Sequence, residues 1–303
     1  MLLNRIFRTV RLPSAAGTSI VNNETTTSTT IGASSFDAGQ APIGQSFTYN
    51  LQESVDDVSW SDVSGYTGLP SPFGNIDAVR TLGNYYRFQG YLGSGIVLTT
   101  ASAQLTEYYI TGWSEDSLYT GTISSSNGTA NTIDFILIGP GGVGGKVSGT
   151  FSGGGGGGGG HFDGSYTYSP GDFFNFVFAT TNTTFQIIGS PSDYIQADAG
   201  FDAVNATAGS GGNVTGFGTF SSLATYGTVT TGNAGTNGID GNFLPPGAAV
   251  GGYGGLPGIV SGSSVYPTAG IGSGGEGYNG ASNGILWPDP GFGYVKYRFR
   301  LKL

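Results

Sequence analysis

The chain of 303 residues carries 10 Lys and Arg against 19 Asp and Glu, a formal net charge of −9 that excludes general nucleic-acid binding, which depends on cations neutralising phosphates. It has no Cys, which excludes disulfides and thiolate metal sites, and no apolar run near the roughly 18 residues that span a bilayer, so no membrane insertion is expected. The 17 Tyr and 19 Phe set it apart from a solvated tail, and the 58 Gly divide unevenly, 14 in residues 1–138 and 44 in 139–303, which predicts two architectures in one chain.

Residues 1–45 read as a docking arm followed by a polar linker. Leu2, Leu3, Ile6, Phe7 and Val10 alternate with Arg5, Arg8 and Arg11 at a spacing that groups the arginines on one helical face, and Pro13 ends any helix. A frayed terminus is the competing reading. The stretch that follows, with Thr25-Thr26-Thr27-Ser28-Thr29-Thr30, is low in complexity.

Residues 46–131 predict an antiparallel β-sandwich. Short segments rich in Tyr, Val, Ile and Thr recur between turn residues: Ser46–Leu51, Ala78–Leu82, Tyr85–Tyr91, Gly95–Thr100, Gln104–Thr111 and Ser117–Ile123, with Thr132–Ile138 just beyond. Glu53, Asp56, Asp57 and Asp62 gather near Trp60. Their spacing fits neither the carboxylate pair of a glycosidase nor a calcium loop, and predicts a solvated acidic loop.

Residues 132–303 predict a Gly-rich β domain containing polyglycine II-type helices. Glycines recur every third residue in several registers, among them Gly139, Gly142, Gly145, then Gly232, Gly235, Gly238, Gly241, then Gly252, Gly255, Gly258. A polyproline II-type helix has three residues per turn and no internal hydrogen bonds, so such segments must bond to one another. Gly153–Gly160 is the extreme case. Asp172–Phe178 and Thr184–Ile188 read as strands. In Tyr294–Leu303, Val295, Tyr297, Phe299 and Leu301 alternate with Lys296, Arg298, Arg300 and Lys302, the pattern of an ordered strand rather than of a flexible linker.

No catalytic, metal or cofactor site is expected. His161 is the single histidine and follows the polyglycine run, where it reads as a cap. The Gly-rich segments lack the Lys-Ser/Thr and helix of a phosphate loop.

The order of elements in the second half resembles the glycine-rich domain of phage tail-fibre and other virion proteins. The matching parts are Asp134-Phe135-Ile136-Leu137-Ile138-Gly139-Pro140-Gly141-Gly142, Gly153–Gly160, Ser169-Pro170-Gly171-Asp172, Ile195-Gln196-Ala197-Asp198-Ala199-Gly200, the runs from Gly209 to Gly280, and Pro290-Gly291-Phe292-Gly293-Tyr294-Val295-Lys296-Tyr297. The resemblance covers residues 132–303; the glycine runs are shorter than in T-even-type adhesins, and the N-terminal half is not theirs. It implies a bundle of glycine helices whose connecting loops contact a host receptor.

Two residue sets follow as expectations. Tyr226, Phe243, Tyr266 and Trp287, in loops between glycine runs, are candidates for receptor contact, with packing over the bundle as the alternative. Arg5, Arg8, Arg11, Lys296, Arg298, Arg300 and Lys302 are candidates for docking to an acidic virion partner, with a solvated strand face as the alternative. Together these readings predict a non-enzymatic spike or fibre protein on the virion surface, a homotrimer that contacts other virion proteins and a host surface glycan or protein. A capsid decoration protein is the alternative, and a glycan-degrading enzyme the third class.

Overall fold

The computed structural model describes residues 10–23, 27–70, 76–77, 81–118, 120–144, 156–204, 207–234 and 291–303. The protein is all-β, built of several antiparallel sheets, and the helical elements among the described residues are two three-residue 3-10 turns, Gly218–Phe220 and Leu223–Thr225. Two compact units share the chain: Met1–Gly112 with Arg300–Leu303, and Trp113–Phe299.

The first unit contains β1 (Gly17–Asn22), β2 (Thr29–Ser34), β3 (Phe47–Ser54), β4 (Ser61–Asp62), β5 (Leu69–Pro70), β6 (Ile76–Asp77), β7 (Tyr85–Leu92), β8 (Gly95–Thr99), β9 (Ala103–Gln104) and β10 (Glu107–Tyr109). One sheet has the order β1-β2-β6; the other runs β4-β3-β7-β8, with β5 on β3 and β9 on β7. Alternation decides which side chains go inward. Tyr49 and Leu51 from β3 and Tyr86 and Phe88 from β7 are fully buried, and Leu51, Tyr86 and Phe88 join Ile31 of β2 and Ile76 of β6 in one apolar cluster. Each such side chain removed from water contributes about 1.5–3 kcal/mol. Gly90 faces Tyr49 across the β3–β7 pair, where a Cβ would meet the Tyr49 ring at 2.9 Å. The stretch read from sequence as a linker therefore supplies β1 and β2: threonine is β-branched and suits a pleat, so Thr-rich does not mean unstructured.

The second unit contains β11 (Ser114–Leu118), β12 (Gly121–Ser126), β13 (Thr132–Ile138), β14 (His161–Thr167), β15 (Phe173–Ala179), β16 (Asn182–Ile187), β17 (Tyr194–Asp198), β18 (Val214–Phe217), β19 (Gly227–Thr230) and most of β20 (Gly293–Lys302), whose residues 300–302 belong to the first unit and pair there with β10. Residues 113–131, read from sequence as the end of a sandwich domain, thus supply β11 and β12 here. One sheet runs β20-β13-β14-β19 with β11 on the outer side of β20; the other runs β12-β15-β16-β17-β18. Rings from both sheets meet between them. Phe135 of β13 stacks on Phe185 of β16 at 4.1 Å, with Phe162 at 5.5 Å and Phe176 at 6.4 Å. Phe135, Phe162, Phe174, Phe176, Phe185 and Phe220 are all fully buried. Strand β13 is buried along nearly its whole length, as befits a strand covered on both faces.

Beyond the sheets, strands run on into glycine-containing segments: β13 into 139–144, 156–160 into β14, β17 into 199–204, 207–213 into β18, β19 into 231–234. Apart from the Val204–Thr207 bridge these are not strands, yet they bond to one another in steps of three. The amides of Gly139 and Gly142 donate to the carbonyls of Gly160 and Gly157, those of Gly160 and Gly157 to Asp198 and Phe201, and those of Asp198 and Phe201 to Asn213 and Ser210, all at 2.8–3.0 Å. Gly200 and Ala203 donate to Pro140 and Val143, again three residues apart. Gly158 donates to Asn233 and accepts from Gly212, which accepts from Gly232. Each segment thereby finds neighbours on several sides, and buried amides that no sheet would satisfy are satisfied by the lattice. A Cβ on Gly139, Gly142, Gly157, Gly160, Gly200 or Gly212 would lie under 3.0 Å from a neighbouring backbone carbonyl, and none of the six has a left-handed φ. These glycines are required for space, not for conformation.

Candidate functional site

The basic residues expected to dock are matched with carboxylates of this chain. Lys296 lies 2.6 Å from Glu115, Arg298 3.0 Å from Asp134 and Arg11 3.0 Å from Asp37, while Arg300 pairs with Glu107. Lys302 stands opposite Glu107 in the β10–β20 register. Arg298 is the most enclosed: only 8% exposed, with its guanidinium 4.2 Å from the centre of the Trp113 ring. Strand alternation sends it and Asp134 to the face opposite Phe135 and Phe299, so the pair is a structural tie between β20 and β13. An acidic partner would have to compete with these carboxylates. Arg5 and Arg8 lie outside the described residues.

Of the receptor candidates, Phe243, Tyr266 and Trp287 also lie outside the described residues. Tyr226 sits at the end of the Leu223–Thr225 turn, its ring 5.0 Å from Phe220 and 6.0 Å from Tyr166, and its hydroxyl donates to Thr219 O at 3.2 Å. Those contacts employ the ring and the hydroxyl in packing.

The acidic loop is organised from within. Asp56 Oδ1 accepts from the amides of Ser59 at 2.7 Å and Val58 at 2.9 Å and from the Ser54 hydroxyl. Those bonds, the Ser59 amide foremost, hold its carboxyl far below the usual carboxylate range. Asp62 accepts from Asn50 and Gln52, and Arg87 lies 4.0 Å over the Trp60 ring. Asp56 therefore anchors a turn. His161, the first residue of β14, pairs in register with Ile138 and Thr230, and burial pushes its pKa down. Among the described residues no group of three His, Asp or Glu side chains is placed to hold a metal ion.

A feature that sequence reasoning missed is a cavity of about 490 Å³ on the flank of the glycine lattice. Its floor is lattice backbone, at Pro140, Gly141, Val143 and Gly200, already fixed by the interlocking hydrogen bonds. Thr180 and Thr181 from the β15–β16 turn form one wall; Asp198, Phe201, Asp202 and Asn213 line the rest. Asp202 Oδ1 accepts from the Val143 amide at 2.7 Å, and Asp198 Oδ1 accepts from Gln196. Both carboxylates are thereby oriented through one oxygen each. Phe201 is 60% exposed, although its backbone is bonded into the lattice. The sequence signal was Asp198-Ala199-Gly200-Phe201-Asp202, two acids and an aromatic directly after a strand; its segment partners, some 60 residues earlier in the chain, gave no such sign.

Fold and site define an all-β protein of antiparallel sheets prolonged into a glycine lattice with an acidic, hydroxyl-lined cavity beside it. Neither a scan of protein-family models nor a search of curated proteins returned a match to this chain.

Proposed function

We propose that this chain is a structural spike or fibre component of a virus particle, a homotrimer whose glycine-rich head contacts the host surface. The single observation that carries the reading is the lattice: amide bonds that advance by three residues on each of several glycine segments, the period of polyglycine II-type helices. It agrees with the order of elements by which residues 132–303 resemble the glycine-rich domain of phage tail fibres. A solid built from bare backbone presents its connecting loops from a stiff base, and a stiff base lowers the entropy lost when a receptor is gripped. The β-sandwich expected of the N-terminal half belongs to the same proposal, as the module that carries the head; the two sheets and shared apolar cluster of the first unit favour it.

Purified protein should bind host cells and compete with the particle for adsorption. Removing the protein from particles should abolish adsorption while leaving them intact. Particles that fall apart but still adsorb would reverse the assignment in favour of a capsid decoration protein.

A further inference from the structure

We infer that the cavity beside the glycine lattice binds the neutral end of a glycan, with Phe201 as the stacking platform and Asp198, Asp202, Thr181 and Asn213 as hydroxyl partners. The inference rests on the attachment reading for the source of the ligand, not for its chemistry.

The volume of about 490 Å³ suits a small ligand of one or two sugar rings. The lining rules out most other occupants. Among the described residues it is lined by two carboxylates and no Lys, Arg or His, so a phosphate, a sialic acid or another anion would enter against like charge. The hydrogen bonds to Asp198 and Asp202 go to Oδ1, and a carboxylate has further acceptor sites on Oδ2 for a donor brought by the ligand. The ligand must also carry an apolar face, because Phe201 and Val143 beside it are 60% and 50% exposed. A neutral pyranose meets both demands, with hydroxyl donors around its edge and C–H groups on its face. Thr181 Oγ1 already accepts from Asn182 and Asn213 Oδ1 from Thr231, so these two residues have their O–H and Nδ2 donors to offer to sugar hydroxyls. The floor needs no rearrangement on binding, since its peptide groups are held by neighbouring segments.

Saturation-transfer NMR and calorimetry on the full chain test this, with methyl glycosides of glucose, galactose, mannose and N-acetylglucosamine as probes and N-acetylneuraminic acid and spermidine as charged controls. At least one neutral glycoside should bind. Phe201→Ala and Asp202→Asn should each weaken it about tenfold. Neither substitution removes a buried ring or the acceptor for the Val143 amide, so the unfolding midpoint should stay at the parent value and report that the fold is intact. Absence of binding by all four glycosides, equal binding by the two variants, or binding of spermidine alone would overturn the assignment. Protein that adsorbs to cells but ignores all four glycosides would sink this site and spare the attachment reading; glycoside binding without adsorption would do the reverse.

Discussion

At the scale of single residues, the glycines divide into those that turn the chain and those that let backbones touch. Gly93, Gly171 and Gly189 have φ of 61°, 99° and 95° and stand in open space, so any cost of replacing them is conformational. Gly157 is different: its Cβ would strike Ser210 O, and backbone cannot step aside as a side-chain tip can. Gly157→Ala should therefore cost about 1–3 kcal/mol in urea unfolding, in the range of an overpacked core. Gly128→Ala, where nothing lies within 4 Å and φ is not left-handed, should change stability by less than about 0.5 kcal/mol. His161 makes a second prediction. Its folded pKa lies below the ordinary 6.5 because burial disfavours the cation, so below that value the unfolded chain takes up a proton that the folded one resists. The stability it contributes is complete above pH 6.5 and is lost as pH falls through the folded value. His161→Gln should flatten that part of a plot of unfolding midpoint against pH.

At the scale of elements, β20 shows what a sequence can and cannot disclose. The alternation of Val295, Tyr297 and Phe299 with Lys296 and Arg298 is visible because a strand's period of two is local. The fate of the charged face is not, because the Asp134 that holds Arg298 lies 164 residues earlier in the chain. Arg298→Ala would leave the Asp134 carboxylate in place without the cation that offsets its desolvation, and should cost about 3 kcal/mol in urea unfolding, whereas an exposed pair such as Arg11–Asp37 should cost less than about 1 kcal/mol. Composition also misleads over β1 and β2. Ile20 and Ile31 face each other across that hairpin, but the Ser and Thr around them obscured the alternation. Strands at Tyr85–Leu92 and Thr132–Ile138 were legible almost to the residue, because each combines β-branched or aromatic side chains with nearby turn signals.

At the scale of the whole molecule, the lattice has a measurable signature. Amides of Gly139, Gly142, Gly157, Gly160 and Gly212 should exchange with solvent as slowly as those of β13 and β16, since all of them are bonded and buried; exchange at the rate of a free Gly-rich linker would refute the lattice. The period of three predicts that glycine segments pair, and its registers at Gly145, at Gly235, Gly238 and Gly241 and at Gly252, Gly255 and Gly258 lie outside the described residues; the cavity depends on which segments lie side by side, and low-complexity sequence carries no address for that. The central seat of β20 has a further consequence, for biosynthesis. It occupies the flank of β13 opposite β14, yet a ribosome adds 154 residues between Ile138 and Gly293. At about 5–20 residues per second, β13 waits roughly eight to thirty seconds with one side unclaimed. During that interval the nascent chain offers a sticky edge to its neighbours on the polysome, and the yield of native protein should depend on elongation speed and on chaperones that shelter it.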